Sequence, residues 1–151
     1  MMRSVHETIA IERSFAAAPD RLFAAFADPR ARERWSAPNA DVEIRILQSD
    51  LRTGGSETAR CGPAGGPLNW EMRVAYHLVE PPSVISFSEE LWDGEQLLTV
   101  ALITFDIAGA ENGGSLLRLT DQVTSFAGED ALQGHRDGYA AALQNLAASL
   151  A

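Results

Sequence analysis

The sequence predicts an α+β fold in which a curved antiparallel sheet of about seven strands wraps a long C-terminal helix. Three observations predict it. From residue 41 onward apolar and polar residues alternate with a period of two, as in half-buried strands. The breaks between these runs are short and rich in Gly, Pro and Asp, and hairpin-sized connections make consecutive strands antiparallel. The tail, Glu129 to Leu150, spaces Leu and Tyr as a helix does. Seven antiparallel strands curl, and one face needs cover. Only the tail helix is long enough to provide it, at ~1.5 Å per residue.

The elements follow in order. Val5 to Phe15 is a strand, with Val5, Ile9, Ile11 and Arg13 on one side and His6, Thr8 and Glu12 on the other. AAAPDRLFAAFADP is a short helix: Pro19 suits its first position, Asp20 complements its N-terminal dipole, and Leu22, Phe23 and Phe26 form its apolar stripe. Asp28-Pro29 ends it, because the residue before a proline avoids the helical region. A second short helix, ARERW, finishes at Trp35, and Ser36 to Asn39 is a loop. Val42, Ile44 and Ile46 mark the next strand, and Asp50 to Gly55 is a turn. Ser56 to Arg60 is a strand and CGPAGGP a loop. Trp70, Met72, Val74, Tyr76 and Leu78 alternate with Glu71, Arg73 and His77 up to the break at Pro81-Pro82. Ile85, Phe87 and Leu91 belong to the following strand, which ends at Asp93-Gly94, and Leu97 to Ile107 is another. Leu117, Leu119 and Val123 mark the last, broken at Gly128. In the tail helix Leu132, Tyr139, Leu143, Leu146 and Leu150 form the apolar stripe, and its many alanines favour helix.

Residues 1–151 read as a single domain, long enough to bury a core without disulfide or metal support. The charge is lopsided: 12 basic residues, all of them Arg, against 21 acidic ones, for a net charge of −9. Nucleic acid and anionic membranes both demand a basic footprint, so neither is expected as a partner. One cysteine, Cys61, excludes an intrachain disulfide and suits a reducing cytoplasm. The N-terminus has no apolar signal-peptide core, and the longest apolar run, Leu97 to Phe105, falls well short of the ~20 residues of a spanning helix.

The succession of particular pieces carries more. Phe15 and Ala18-Pro19 lead into Leu22-Phe23-Ala24-Ala25-Phe26, Asp28-Pro29 and Trp35. Asp50-Leu51-Arg52-Thr53-Gly54-Gly55 follows, then Val79-Glu80-Pro81-Pro82 before Ile85-Ser86-Phe87. Gly138-Tyr139 precedes Leu143 and Leu146. In order and spacing, over nearly the whole chain, this resembles the START-like, birch-pollen-allergen-like helix-grip superfamily, also called SRPBCC. Within it the sequence is similar to the domain named after the activator of heat-shock protein 90 ATPase. One departure is Tyr139, where the family usually has Trp. The resemblance implies a helix-grip fold with a hydrophobic cavity between sheet and C-terminal helix. It also implies relatives that are mostly small-molecule binders, some of them cyclases or resistance proteins. The eukaryotic co-chaperone behind the name carries a further N-terminal domain for which this chain has no room, so the chaperone name is expected to mislead.

The residues narrow the chemistry. His6, His77 and His135 show no metal-ligand spacing, and no metal or other cofactor is expected. No Gly-x-Ser-x-Gly, G-x-G-x-x-G or P-loop pattern occurs, and Cys61 reads as an inert thiol in a loop. Arg52 reads as a structural ion-pair partner of Asp50 or another acid rather than as a ligand clamp. What remains is polar residues in inward phase. Leu117, Leu119 and Val123 put Asp121 inward, and Ile85 and Phe87 do the same for Glu89. His135 stands one turn before Tyr139 on the tail helix. Buried carboxylates are costly and shift their pKa upward, so two of them near a histidine would be unusual for a plain core. The alternative is that strand ends or bulges turn them to water.

The leading expectation is a cavity that binds a small hydrophobic or aromatic molecule. Trp70, Tyr76, Phe87 and Tyr139 pack it, Asp121 and His135 orient it, and Glu89 is a further ligand-binding residue. The second is a polyketide cyclase-like enzyme using the same cavity, with Asp121 or His135 moving protons. The third, of another class, is a chaperone-interacting module. A homodimer through an edge strand is a further possibility.

Overall fold

The computed structural model describes residues 2–151. Strand β1 (Val5–Phe15) is followed by helices α1 (Pro19–Ala27) and α2 (Pro29–Ser36). Strands β2 (Val42–Ser49), β3 (Ser56–Pro63), β4 (Trp70–Glu80), β5 (Val84–Asp93), β6 (Gln96–Gly109) and β7 (Ser115–Ser125) come next, and helix α3 (Glu129–Ser149) closes the chain. The seven strands form one sheet in the order β1-β7-β6-β5-β4-β3-β2, antiparallel throughout. Hairpins generate every neighbour from β2 to β7, and β1 adds to β7. The first two strands therefore stand at opposite edges of the sheet, and α1 and α2 carry the chain between them. This is the helix-grip α+β architecture.

Local chemistry fixes the crossing. In α1, Pro19 occupies the first turn, and Leu22, Phe23 and Phe26 are buried. Asp28 ends α1 and also caps α2, its Oδ1 accepting from the backbone N–H of Arg30 (3.0 Å) and Ala31 (3.3 Å). Trp35 Nε1 donates to the carbonyl of Ala25 (3.1 Å), which locks α2 against α1. Asn145 Nδ2 donates to the carbonyl of Ala37 (3.0 Å), which ties α3 to the end of α2.

Two elements depart from the periodic reading. Cys61 lies in β3 rather than in a loop, because that strand runs on to Pro63. Its pairing explains how it tolerates proline. β3 pairs with β4 only from Ser56 to Cys61, while Val42 of β2 still faces Pro63, so the missing N–H interrupts no β3–β4 ladder. Leu78 is 39% exposed rather than inward. A register shift between Tyr76 and Leu78 reverses the phase of β4 at its end, and Val79 packs on the core instead.

Helix α3 divides into two halves. Leu143 and Leu146 are fully buried and join Phe15, Leu22, Phe26 and Trp35 in the main core. The N-terminal half presents Ala131, Gly134 and Gly138 toward the sheet, with Ala142 just beyond it, and residues this small do not fill the concavity.

Candidate functional site

Between that half of α3 and the sheet lies a cavity of about 400 Å³. A volume of ~300–1,000 Å³ with a mostly apolar lining is typical of small-molecule sites. Phe26, Trp35, Phe87, Phe105 and Tyr139 contribute aromatic walls. Phe87 stacks on Phe105 (6.1 Å between ring centroids), which meets the edge of Tyr139 (6.2 Å).

Sheet register places the polar groups. One row across the strands reads Glu57, Val74, Glu89, Ala101, Val123. The next reads Tyr76, Phe87, Ile103, Asp121. Both rows face inward, so three carboxylates are delivered to the concave side.

Two of the three are paired. Glu57 is buried and its Oε1 accepts from Arg32 of α2, from Tyr76 Oη (3.1 Å) and from Ser49 Oγ (2.8 Å). Arg32 Nη1 also donates to Tyr76 Oη (3.1 Å). Burial pushes the Tyr76 hydroxyl up to about 12, and it stays protonated. Asp121 is 0% exposed, and its Oδ2 lies 2.7 Å from His135 Nδ1. Burial of His135 opposes its charge, but the hydrogen bond to Asp121 and the charges of Asp121 and Glu89 outweigh it and raise the imidazole pKa. His135 Nε2 has no partner among the described residues, and the ring lines the cavity.

Glu89 is the third. It lines the cavity without any hydrogen bond or ion pair among the described residues. Desolvation, opposed by His135 and reinforced by Asp121 and Glu57, pushes its carboxyl up to about 7. Tyr139 is raised well above its ordinary value, by burial first and then by Glu89 and Asp121, and keeps its proton.

Of the residues singled out from the sequence, Tyr76, Phe87, Glu89, His135 and Tyr139 line the cavity together. Trp70 also lines it, but at 42% exposure it stands at the mouth rather than inside. Its place at the first residue of β4, where pairing with β3 ends, leaves it uncovered on one side. Asp121 is inward yet does not reach the cavity surface: His135 sits over it, so contact with a ligand passes through the imidazole. Arg52 pairs with Asp50 (2.7 Å). Trp92 lies outside the cavity, with the Arg73 guanidinium 4.7 Å from its ring centroid.

Sequence reasoning missed Arg32 and Glu57. The signal for Glu57 was present, since it shares its strand phase with Ala59 and Cys61, both of which line the cavity. Arg32 had none, because a charged residue on a short polar helix reads as solvated. Cys61, expected in a loop, is a wall residue whose thiol is pushed up to about 11, by burial and then by Glu89, which leaves it protonated and unreactive.

A seven-stranded sheet gripping one helix over an apolar cavity defines a START-like, SRPBCC-type protein. Residues 16–151 match the family described as Activator of Hsp90 ATPase homolog 1-like protein, and the chain belongs to it. Solved structures agree. The Mll3558 protein of Rhizobium loti is 32% identical, with a TM-score of 0.83 over 97% of this chain and 99% of that one. A Rhizobium leguminosarum protein is 29% identical, with a TM-score of 0.81 over 97% and 95%. Protein CV1439 of Chromobacterium violaceum, at 22% identity and a TM-score of 0.80 over 95% and 96%, shares the fold. No curated protein matches. Among the described residues no helix is long and apolar enough to cross a membrane.

Proposed function

We propose that the protein binds a small hydrophobic or aromatic molecule in the cavity between sheet and α3. The observation that carries this is an apolar chamber of about 400 Å³ that α3 leaves open with two glycines and two alanines, into which His135, Tyr139 and Glu89 project. A folded chain gains by filling its core, and an unfilled apolar space forfeits contacts at roughly 24 cal/mol per Å³. A ligand recovers those contacts. His135, held by Asp121, and the Tyr139 hydroxyl supply the few polar groups that orient it. Asp121 is a positioning residue in this reading, because it acts through the imidazole. A thermal-shift screen of aromatic and aliphatic compounds tests the proposal. Hits that raise the melting temperature progressively with ligand concentration support it, and a screen in which no apolar compound does so overturns it.

The Asp121–His135 pair favours a second reading, a cyclase-like enzyme in which Nε2 of His135 takes and returns a proton on a substrate held against the aromatic walls. Asp121→Asn would then abolish turnover of a polyketide-like chain while binding persists. Full turnover in that variant would exclude the role. A chaperone partner rests on the family name alone, and no feature of the cavity favours it.

A further inference from the structure

We infer that the cavity selects an apolar molecule bearing a positively charged nitrogen, an aromatic or alkyl amine, with the Glu89 carboxylate as its counter-ion. This rests on the proposal that the cavity binds a small molecule, and it names the chemical class.

The inference follows from which charges are already spent. Arg32 is committed to Glu57 and Tyr76 through both terminal nitrogens. His135 is committed to Asp121. Glu89 alone has no partner among the described residues, and it faces the cavity. The two cations on the walls, Arg32 and His135, already have Glu57 and Asp121 as counter-ions, and a carboxylate-bearing ligand would meet Glu89 as a further like charge. An ammonium group would give Glu89 the opposite charge that a buried carboxylate needs. The aromatic walls act in the same direction, since an aromatic ring face attracts a cation in a desolvated site.

The groups around Glu89 leave this reading consistent over pH. His135 and Tyr139 face it from α3, Arg32 from α2, Asp121 from β7, and Glu57 and Cys61 from β3. In its own row the flanking strands β4 and β6 bring Val74 and Ala101, which carry no charge. Burial keeps part of Glu89 protonated near neutrality, so an amine must displace that proton, and its affinity rises with pH. His135, whose raised pKa keeps it charged to higher pH, gives up its proton as the pH climbs through its folded value, which removes a like charge and again favours a cation.

Isothermal titration of three matched probes at pH 8 tests this: 1-naphthylmethylamine, 1-naphthylmethanol and 1-naphthoate. The amine is expected to bind at least about tenfold tighter than the alcohol, with the carboxylate weakest, a gap of one decade corresponding to ~1.4 kcal/mol. Between pH 6 and pH 8 the amine's affinity should rise by about tenfold, following the ionisation of Glu89. Glu89→Gln should bring amine and alcohol to within about threefold of each other. Equal binding of the three probes, or tighter binding of the carboxylate, overturns the amine class and leaves the cavity reading standing. Retention of the amine's preference in Glu89→Gln overturns the role of that carboxylate. Failure of all three probes to bind overturns this inference, and the cavity reading then stands or falls with the thermal-shift screen.

Discussion

Glu89 and His135 make the protein's stability depend on pH in defined directions. Burial raises the Glu89 carboxyl from an ordinary 4.5 to about 7. A folded-state pKa above the unfolded one means that the native state holds the proton more tightly. The resulting stabilisation is complete below pH 4.5 and is lost as the pH rises to about 7, on the order of 3 kcal/mol at ~1.36 kcal/mol per unit. Glu89→Gln should therefore melt higher than the parent at pH 8 and at the same temperature at pH 4. Equal melting temperatures at pH 8 would show that the carboxyl pays no burial penalty. His135 follows the same sign, since its pKa is also raised: its stabilisation is present below its unfolded value of 6.5 and fades as the pH climbs through the folded value. His135→Ala leaves Asp121 buried with neither oxygen partnered, since Oδ1 already has no partner. Loss of one member of a buried pair costs about 3–5 kcal/mol. The double variant Asp121→Asn/His135→Ala should recover at least ~1 kcal/mol of that loss in urea unfolding at pH 6. Strict additivity of the two substitutions would mean that the pair is not coupled.

Backbone contacts around one turn hold the polar cluster together. The Asp50–Gly55 segment bonds to Tyr76 twice: Gly54 N–H donates to the Tyr76 carbonyl (2.9 Å), and Tyr76 N–H donates to the Gly55 carbonyl (2.9 Å). Gly54 takes a φ of +83°, which side chains disfavour. At Gly55 a Cβ would lie 2.0 Å from the carbonyl oxygen of Asp50, closer than any atom can stand. Gly55→Ala must displace this turn, and with it the Tyr76 hydroxyl that bonds to Glu57. A loss of about 2 kcal/mol or more is expected in urea unfolding. Gly138 in α3 is the opposite case. Its φ is helical and a Cβ would meet nothing within 4 Å, so Gly138→Ala should stabilise the fold by ~0.5–1 kcal/mol. Equal effects of the two substitutions would contradict the assignment of one glycine to close packing and the other to open space.

Across the whole molecule, the cavity and the stable core share one helix. The C-terminal half of α3 buries Leu143 and Leu146 in the main core, with the helix packed against α2, β1 and β7, so the fold does not depend on filling the space under its N-terminal half. Binding and folding are then separable. A ligand at about 100 times its Kd adds ~2.7 kcal/mol of stability. For a chain of this length that is a rise of roughly 5–10 °C in Tm. Gly138→Leu places a large side chain in the cavity. It should abolish this ligand-induced rise while the variant still unfolds cooperatively. A Gly138→Leu protein that keeps the full rise would put the ligand elsewhere.

Local pattern determined most of the architecture. The period-two runs, the turn residues and the leucine-spaced tail are short-range signals, and each element formed where its own residues favoured it. The inward phase of Asp121 and Glu89 was legible for the same reason, because strand side chains alternate strictly until a bulge intervenes, as it does before Leu78. The pairing of those charges was not legible. Arg32 and Glu57 are 25 residues apart, and Asp121 meets His135 across a strand-to-helix gap. Register and helix placement alone bring such groups within bonding distance. Whether a carboxylate is spent or free is a property of its neighbours in space: Asp121 disappears behind an imidazole, and Glu89 is left facing an apolar cavity without a partner. Short-range residue pattern is enough for the sheet, the helix and the faces they turn to each other. Where α3 fails to fill that sheet, and which carboxylate is left without a partner inside, follow from packing between segments distant in the chain.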